Sequence, residues 1–451
     1  MTTRILAVTA ALITGALTLV DVRIAIGAIA IGFGLYLTVS YPKKVFILFL
    51  LGYPLLSNLP RLSLGVLPAI SFERLMVGLL TAEMLLKKGF SAHIKVHWSV
   101  TILIITLFMS LLYASIRSQH LVYSIQMMID SYILPCMIFY IGLSLFYRDI
   151  SAENLSWIFF SMGAYVSIIG IFEFFSHMDL FPQEIGLRET DLFVRSNGPF
   201  ATSETFGLFL GLCLFIGAYL KKVGQKQWSG KEFAAVMVML GGMICSMNRG
   251  IMISAIIAFS LPYLFRFRNR SKFLFGGFFL VLCIAIIFPY IEEIKFYRER
   301  IVIFDSIASR FSANWSAFAM IQDHPIQGIG LNNFYDFSLK SEYNLFFEDY
   351  TRPKTIHNAF IDVMTEMGLL GFLPFCGLLT VGGGYLLKCS RYGANGSIYI
   401  ISVMIMFVMP FFNDNLTKEA PSNYLFAVFC AAVLSSLIKK KEMAEQNDRN
   451  L

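Results

Sequence analysis

Charge is what this sequence has least of. Only 14% of its 451 residues are Asp, Glu, Lys or Arg, against 57% hydrophobic, and the mean hydropathy is +0.68. A water-soluble domain carries nearly twice that charged fraction, so a chain solvated mainly by water is excluded. Paired cysteine spacing is missing as well. The seven cysteines, at 136, 213, 245, 283, 376, 389 and 430, stand singly and nearly all in apolar runs, with no CxxC and no Cys/His cluster. That argues against a metal site and against a disulfide framework, and leaves them as small hydrophobes. Tandem repeats, low-complexity tracts and a separable soluble domain are also absent. The net charge of +7 is modest, and no nucleic-acid partner and no cofactor are expected.

What the sequence does have is apolar runs and 44 phenylalanines, bulky groups that a lipid-facing helix exposes without cost. Runs long enough to cross about 30 Å of hydrocarbon recur at 5–20, 24–40, 45–57, 66–86, 98–115, 127–147, 156–175, 200–220, 232–247, 250–265, 273–290, 358–387, 396–412 and 421–438. The third and ninth are short, which makes the expectation 12 to 14 spans. Arg4 followed by Ile5 to Val20 imitates a signal peptide, but another apolar run begins three residues later, so it reads as the first span. The fold class expected is all-α: one polytopic membrane helix bundle over residues 1–451, with one long connection at 291–356 inside it.

Charge placement orients the bundle. With the N-terminus in the cytoplasm and spans alternating, 21 of the 36 basic residues fall in cytoplasmic segments, among them Lys43, Lys44, Lys87, Lys88, Lys221, Lys222, Arg266, Arg268, Lys439 and Lys440. Both termini are therefore expected in the cytoplasm and the 291–356 connection outside. That connection is rich in aromatics. Ile307, Phe311, Trp315 and Phe318 share one helical face, opposite Ser306, Ser309 and Asn314, as in a helix lying on the membrane surface or capping the bundle.

Charges at the edge of hydrocarbon are costly and call for a reason. Three places stand out, all on the expected outer face. Arg195-Ser196-Asn197-Gly198-Pro199-Phe200 enters the eighth span, with Glu204 one turn inside; a helix start and an arginine together suit a phosphate, whereas an Arg195–Glu204 or headgroup contact is the plainer reading. Ser246-Met247-Asn248-Arg249-Gly250 is a tight turn carrying a guanidinium, whose fixed fork of donors matches phosphate oxygens; interface anchoring is the alternative. Lys354-Thr355-Ile356-His357-Asn358 enters the twelfth span, followed by Asp362 and Glu366. His357 is the best general-base candidate among the six histidines, with Asn358 and Glu366 as candidate supporting residues. Two arginines and a histidine on one face point to a diphosphate leaving group and a hydroxyl to be deprotonated. The outer loops carry no Asp-x-Asp motif, so arginine rather than a metal would stabilise the departing phosphate.

These stretches resemble the O-antigen ligase and polysaccharide polymerase superfamily. His357-Asn358, nine residues, Gly368, two residues and Gly371 is similar to the ligase pattern H-[NSQ]-x9-G-x2-[GTY], with Glu366 in the place of its E-x-G acid. Trp315, then His324-Pro325-Ile326-Gln327-Gly328-Ile329-Gly330 with Phe334, resembles the upstream segment. Asn248-Arg249-Gly250 resembles the S-R-[GS] turn. Arg195-x2-Gly198-x-Phe200 is similar to the R-x2-G-x-F-x-N-P entry, with Thr202-Ser203 where that pattern has Asn-Pro. The resemblance covers residues 190–375; the N-terminal third matches only in hydropathy.

The resemblance implies a GT-C-like membrane glycosyltransferase of the bacterial inner membrane, metal-independent and inverting. The donor would be an undecaprenyl-diphosphate-linked glycan, and the acceptor lipid A-core (ligase) or a second lipid-linked glycan (O-antigen or exopolysaccharide polymerase). His357 would take the acceptor proton, and Arg195 and Arg249 would hold the diphosphate. The rival class, a lipid-linked glycan flippase or polysaccharide transporter, needs basic residues at mid-depth, and the spans hold almost none away from their ends.

Overall fold

A computed structural model describes residues 34, 36–56, 62–64, 67–86, 98–148, 152–178, 180–181, 195–224, 227–266, 304–343, 355–392, 397–412 and 420–449. The expected first and eleventh spans, 5–20 and 273–290, lie outside the described residues. The helices are α1 (Pro42–Leu56), α2 (Phe72–Leu86), α3 (Trp98–Ile116), α4 (Leu121–Met128), α5 (Leu134–Arg148), α6 (Ala152–Ser176), α7 (Ser203–Val223), α8 (Gly230–Cys245), α9 (Arg249–Arg266), α10 (Phe304–Asp323), α11 (Phe334–Ser338), α12 (Ala359–Tyr392), α13 (Ser397–Val408) and α14 (Ala420–Arg449). A π-helical turn, Ile129–Ile133, joins α4 to α5, and a 3-10 turn, Met409–Phe412, ends α13.

The all-α bundle is as expected from the sequence. Five of these segments are long and apolar enough to cross a membrane: Trp98–Ile116, Leu121–Phe146, Leu155–Ser176, Ser203–Val223 and Ala359–Leu386. Gly250–Ser260, Tyr399–Phe412 and Ala420–Ser436 are shorter apolar helices. One expected span starts later than its apolar run. Residues 62–64 and 67–70 pair as a small antiparallel hairpin, β1 and β2, and α2 begins only at Phe72. Hydropathy extends evenly across Leu67–Ile70, so it could not separate a hairpin from the helix that follows.

Helix α7 is the centre of the bundle. Of its residues, Phe206, Leu208, Phe209, Leu210, Leu212, Cys213 and Ile216 are wholly buried. It packs against α6, α8, α9, α13 and α14. Without a hydrophobic drive between helices in lipid, close approach depends on small residues. Gly207 and Gly211 supply it: a β-carbon on Gly207 would press on Ser246, and one on Gly211 on Met406. Further out, α5 pairs with α14 and with α2, while α3 pairs with α12.

The described part of the 291–356 connection has its own small core. Ala313, Ala317 and Met320 of α10 pack with Ile329, Phe334, Tyr343 and Ile356. Tyr343 donates to Asp323 Oδ2 at 2.8 Å, and burial together with that bond pushes its pKa up to about 12.

Candidate functional site

Each of the three turns singled out by charge starts a helix, and a neighbouring polar side chain caps each one. Thr202 Oγ1 accepts from the Thr205 amide at 3.1 Å and caps α7. Asn248 Oδ1 accepts from the Ile251 amide at 3.0 Å and caps α9. Asn358 Oδ1 accepts from the Phe360 and Ile361 amides at 3.0 and 3.1 Å and caps α12. Residues at this position satisfy amides that the helix leaves unpaired. The Thr202-Ser203 departure from Asn-Pro is therefore conservative: threonine serves as the cap and serine opens the helix, where Asn and Pro would do the same.

Backbone contacts bring the turns to one end of the bundle. The Ser196 amide donates to the Cys245 carbonyl at 3.3 Å, joining the Arg195 loop to the turn that leads into Arg249. Midway along antiparallel α9 and α13, Ser402 Oγ donates to the Ala258 carbonyl at 2.6 Å, which sets the start of α9 at the level of Met409–Phe412. That 3-10 turn packs against both α9 and α12, and its Phe412 carbonyl accepts from Asn358 Nδ2 at 3.2 Å. Asn358 thus acts as a cap and a tether, while His357, half-buried, sits one residue before it. Arg249 is the first residue of α9; its side chain lies outside the described residues.

Arg195 has the ionic neighbour that the plainer reading anticipated. Its Nη1 lies 3.7 Å from Glu204 Oε1, and its side chain is 47% exposed. At that distance and exposure the pair is loose, and exposed pairs of this kind are weak. The loop itself is held from beneath by Glu173 of α6, only 3% exposed, whose Oε2 accepts from the Ser196 hydroxyl at 3.1 Å and the Gly198 amide at 2.8 Å. Sequence reasoning passed over Glu173. Its signal was available: an acid inside the apolar run 156–175. Arg74 and Asp130 were missed in the same way, inside the runs 66–86 and 127–147. They form a two-pronged ion pair at 2.7 Å in both contacts, between the start of α2 and the π-helical turn.

The glycine motifs explain one another. Helix α12 breaks at Gly368, whose φ of 61° and ψ of −164° are essentially open to glycine alone. The turn after α10 fills the break: Leu369 and Leu370 amides donate to the Pro325 and Ile326 carbonyls, and Ile329 and Gly330 amides donate to Thr365 and Glu366 carbonyls. Gly328 and Gly368 meet face to face, and a β-carbon on either would collide with the opposing backbone. Glu366, buried on α12, serves this crossing through its own carbonyl. Arg117, at the end of α3, ties the same turn down by donating to the Gly328 carbonyl at 2.9 Å. His120 Nε2 meets Asp336 Oδ2 at 2.9 Å beside it.

Chemically, the three helix starts present positive dipole ends at one end of the bundle, with a reachable guanidinium on the Arg195 loop and an imidazole at the edge of α12. Such an arrangement can hold an anion and accept a proton. Among the described residues, no group of three His, Cys, Asp or Glu side chains could hold a metal ion. Arg298 and Arg300 lie outside the described residues, and Arg310 is half-buried on α10.

Residues 234–376 match the family model described as O-Antigen ligase. The match takes in the Arg249 turn, the 324–334 segment, His357 and Gly368, and leaves Arg195 upstream of it. No curated protein matches the chain. Over residues 234–376, a membrane-helix segment that is less than half of the chain, the protein is similar to the O-antigen ligase family.

Proposed function

We propose that the protein transfers an undecaprenyl-diphosphate-linked glycan to an acceptor hydroxyl on the outer face of the bacterial inner membrane, with both termini in the cytoplasm. The observation that carries this reading is the convergence of three motif turns, each a capped helix start, at one end of the bundle. His357 takes the proton from the acceptor hydroxyl as its oxygen attacks the anomeric carbon. The bond from that carbon to the diphosphate breaks with inversion. Undecaprenyl diphosphate leaves, its developing charge met by Arg249, Arg195 and the helix starts, without a metal. The acceptor is lipid A-core for a ligase and a second lipid-linked glycan for a polymerase.

The test is the lipid-linked glycan that accumulates when the gene is deleted from its bacterium. Long lipid-linked chains identify a ligase, and single repeat units a polymerase. An unaltered pool of lipid-linked glycan on the outer face would overturn the reading. Accumulation confined to the cytoplasmic leaflet would make the protein a flippase instead.

A further inference from the structure

Helix α10 turns its largest apolar side chains away from the protein. Its packed face is made of small residues: Ser312, Ala313, Ser316 and Ala317, with Met320, are buried. Ser316 also donates to the Tyr343 carbonyl at 2.8 Å. On the opposite side, Phe311, Trp315 and Phe318 are 59%, 44% and 50% exposed, at the i, i+4, i+7 spacing of a single stripe. The Phe311 and Trp315 rings stack on each other, 6.1 Å apart and 21° from parallel. A helix covering a site in water shows the reverse pattern, apolar inward and polar outward.

What covers this stripe is indicated by where the helix leads. Directly after α10, the Pro325 and Ile326 carbonyls bond to Leu369 and Leu370 on α12, a membrane-crossing helix. Ile326 is exposed there, and so are Leu369, Leu370 and Leu373 on α12 and Met109 and Ile116 on α3. On spanning helices those side chains face hydrocarbon. Exposed apolar side chains of α3 and α12 thus reach the level of the turn that begins at the end of α10. Tryptophan and phenylalanine on a helix at that level have the composition of an interfacial helix, with an apolar ring body and, on Trp315, an indole N–H for the headgroup layer.

We infer that the Phe311–Trp315–Phe318 face of α10 is a membrane-docking surface, seated in the interfacial layer of the leaflet at the end of the bundle where the three capped turns converge. The small-residue face holds the helix to the protein, and the aromatic face holds the connection to the lipid. This fixes the position of α10 in the leaflet relative to His357 independently of any bound glycan.

The experiment uses the full chain in lipid nanodiscs. The protein has four tryptophans, and Trp98→Phe, Trp157→Phe and Trp228→Phe together leave Trp315 as the sole emitter. Lipids brominated near the glycerol end of the acyl chain are expected to quench Trp315 about twofold or more, and lipids brominated near the methyl end much less, as befits an interfacial depth. Dissolved iodide should leave the emission unchanged. Quenching by iodide with none by brominated lipid overturns the inference. In a second protein with its tryptophans intact, p-benzoylphenylalanine placed at position 318 is photolysed in the same nanodiscs. A lipid adduct found by mass spectrometry supports docking; an adduct to another segment of the chain, to a second copy, or to neither, overturns it.

Discussion

The two ends of α7 use the same kinds of residue in opposite ways. At its C-terminal end Lys221 meets Glu232 at 2.6 Å with both side chains almost covered, and Glu232 closes a capping box with Ser229. Burial opposes ionisation of Glu232, but the Lys221 ammonium and the Ser229 amide and hydroxyl hold its carboxyl below the usual range. At the N-terminal end Arg195 stands 3.7 Å from Glu204 with half its surface open. One end spends its charge on holding two helices together. The other leaves its charge loosely paired and half open to its surroundings. Ion pairs differ here through their geometry: the short, covered pair ties two helices together, and the long, open one holds little.

The comparison can be broken most severely at the open end. His357→Ala is expected to reduce glycan transfer about 100-fold or more, measured with a reconstituted lipid-linked donor, while the protein still inserts and folds. Undiminished transfer would remove the assigned base. Arg249→Lys keeps the charge but loses the fork, and transfer should fall about tenfold if the diphosphate is held by two prongs. A silent substitution would return Arg249 to interface anchoring. Glu173→Ala frees the Arg195 loop without touching substrate, so KM for the donor should rise about three- to tenfold with kcat less affected. Glu173→Gln should recover part of that loss, because it still accepts from the Gly198 amide. At the closed end the effect is smallest and of another kind. Glu232→Gln should lower stability by about 1 kcal/mol and leave transfer unchanged. Because the folded-state pKa of Glu232 is lowered, its contribution is present above its ordinary 4.5 and is lost as pH falls through the lowered value. Thermal unfolding of wild type and Glu232→Gln should therefore converge in acid.

Much of this was legible in the sequence, and for physical reasons. Apolar runs must be as long as the membrane is thick, so α3, α6, α7 and α12 could be placed from hydropathy alone. His357, Arg249 and Arg195 were visible because charge is rare enough for each instance to stand out. What could not be read was anything depending on partners. Asn358 stood out as a supporting residue for His357, but its bonds as the cap of α12 and the tether to Phe412 show only in the fold. Glu366 stood out beside Asp362, but the place of its carbonyl in the crossing with Gly330 shows only in the fold. Glu173, Arg74 and Asp130 were hidden by averaging over apolar windows. In α10 the aromatic stripe was plain, but the face that packs is the one made of alanine and serine, which no hydrophobic pattern picks out.

The crossing of Gly328 and Gly368 has a consequence for how such a chain can diversify. Four backbone hydrogen bonds clamp residues 325–330 to residues 365–370, and so close the intervening stretch into a ring with both feet pinned. His357 stands just inside one foot. Changes elsewhere in the connection are thus expected to leave the two feet, and His357 beside one of them, in place.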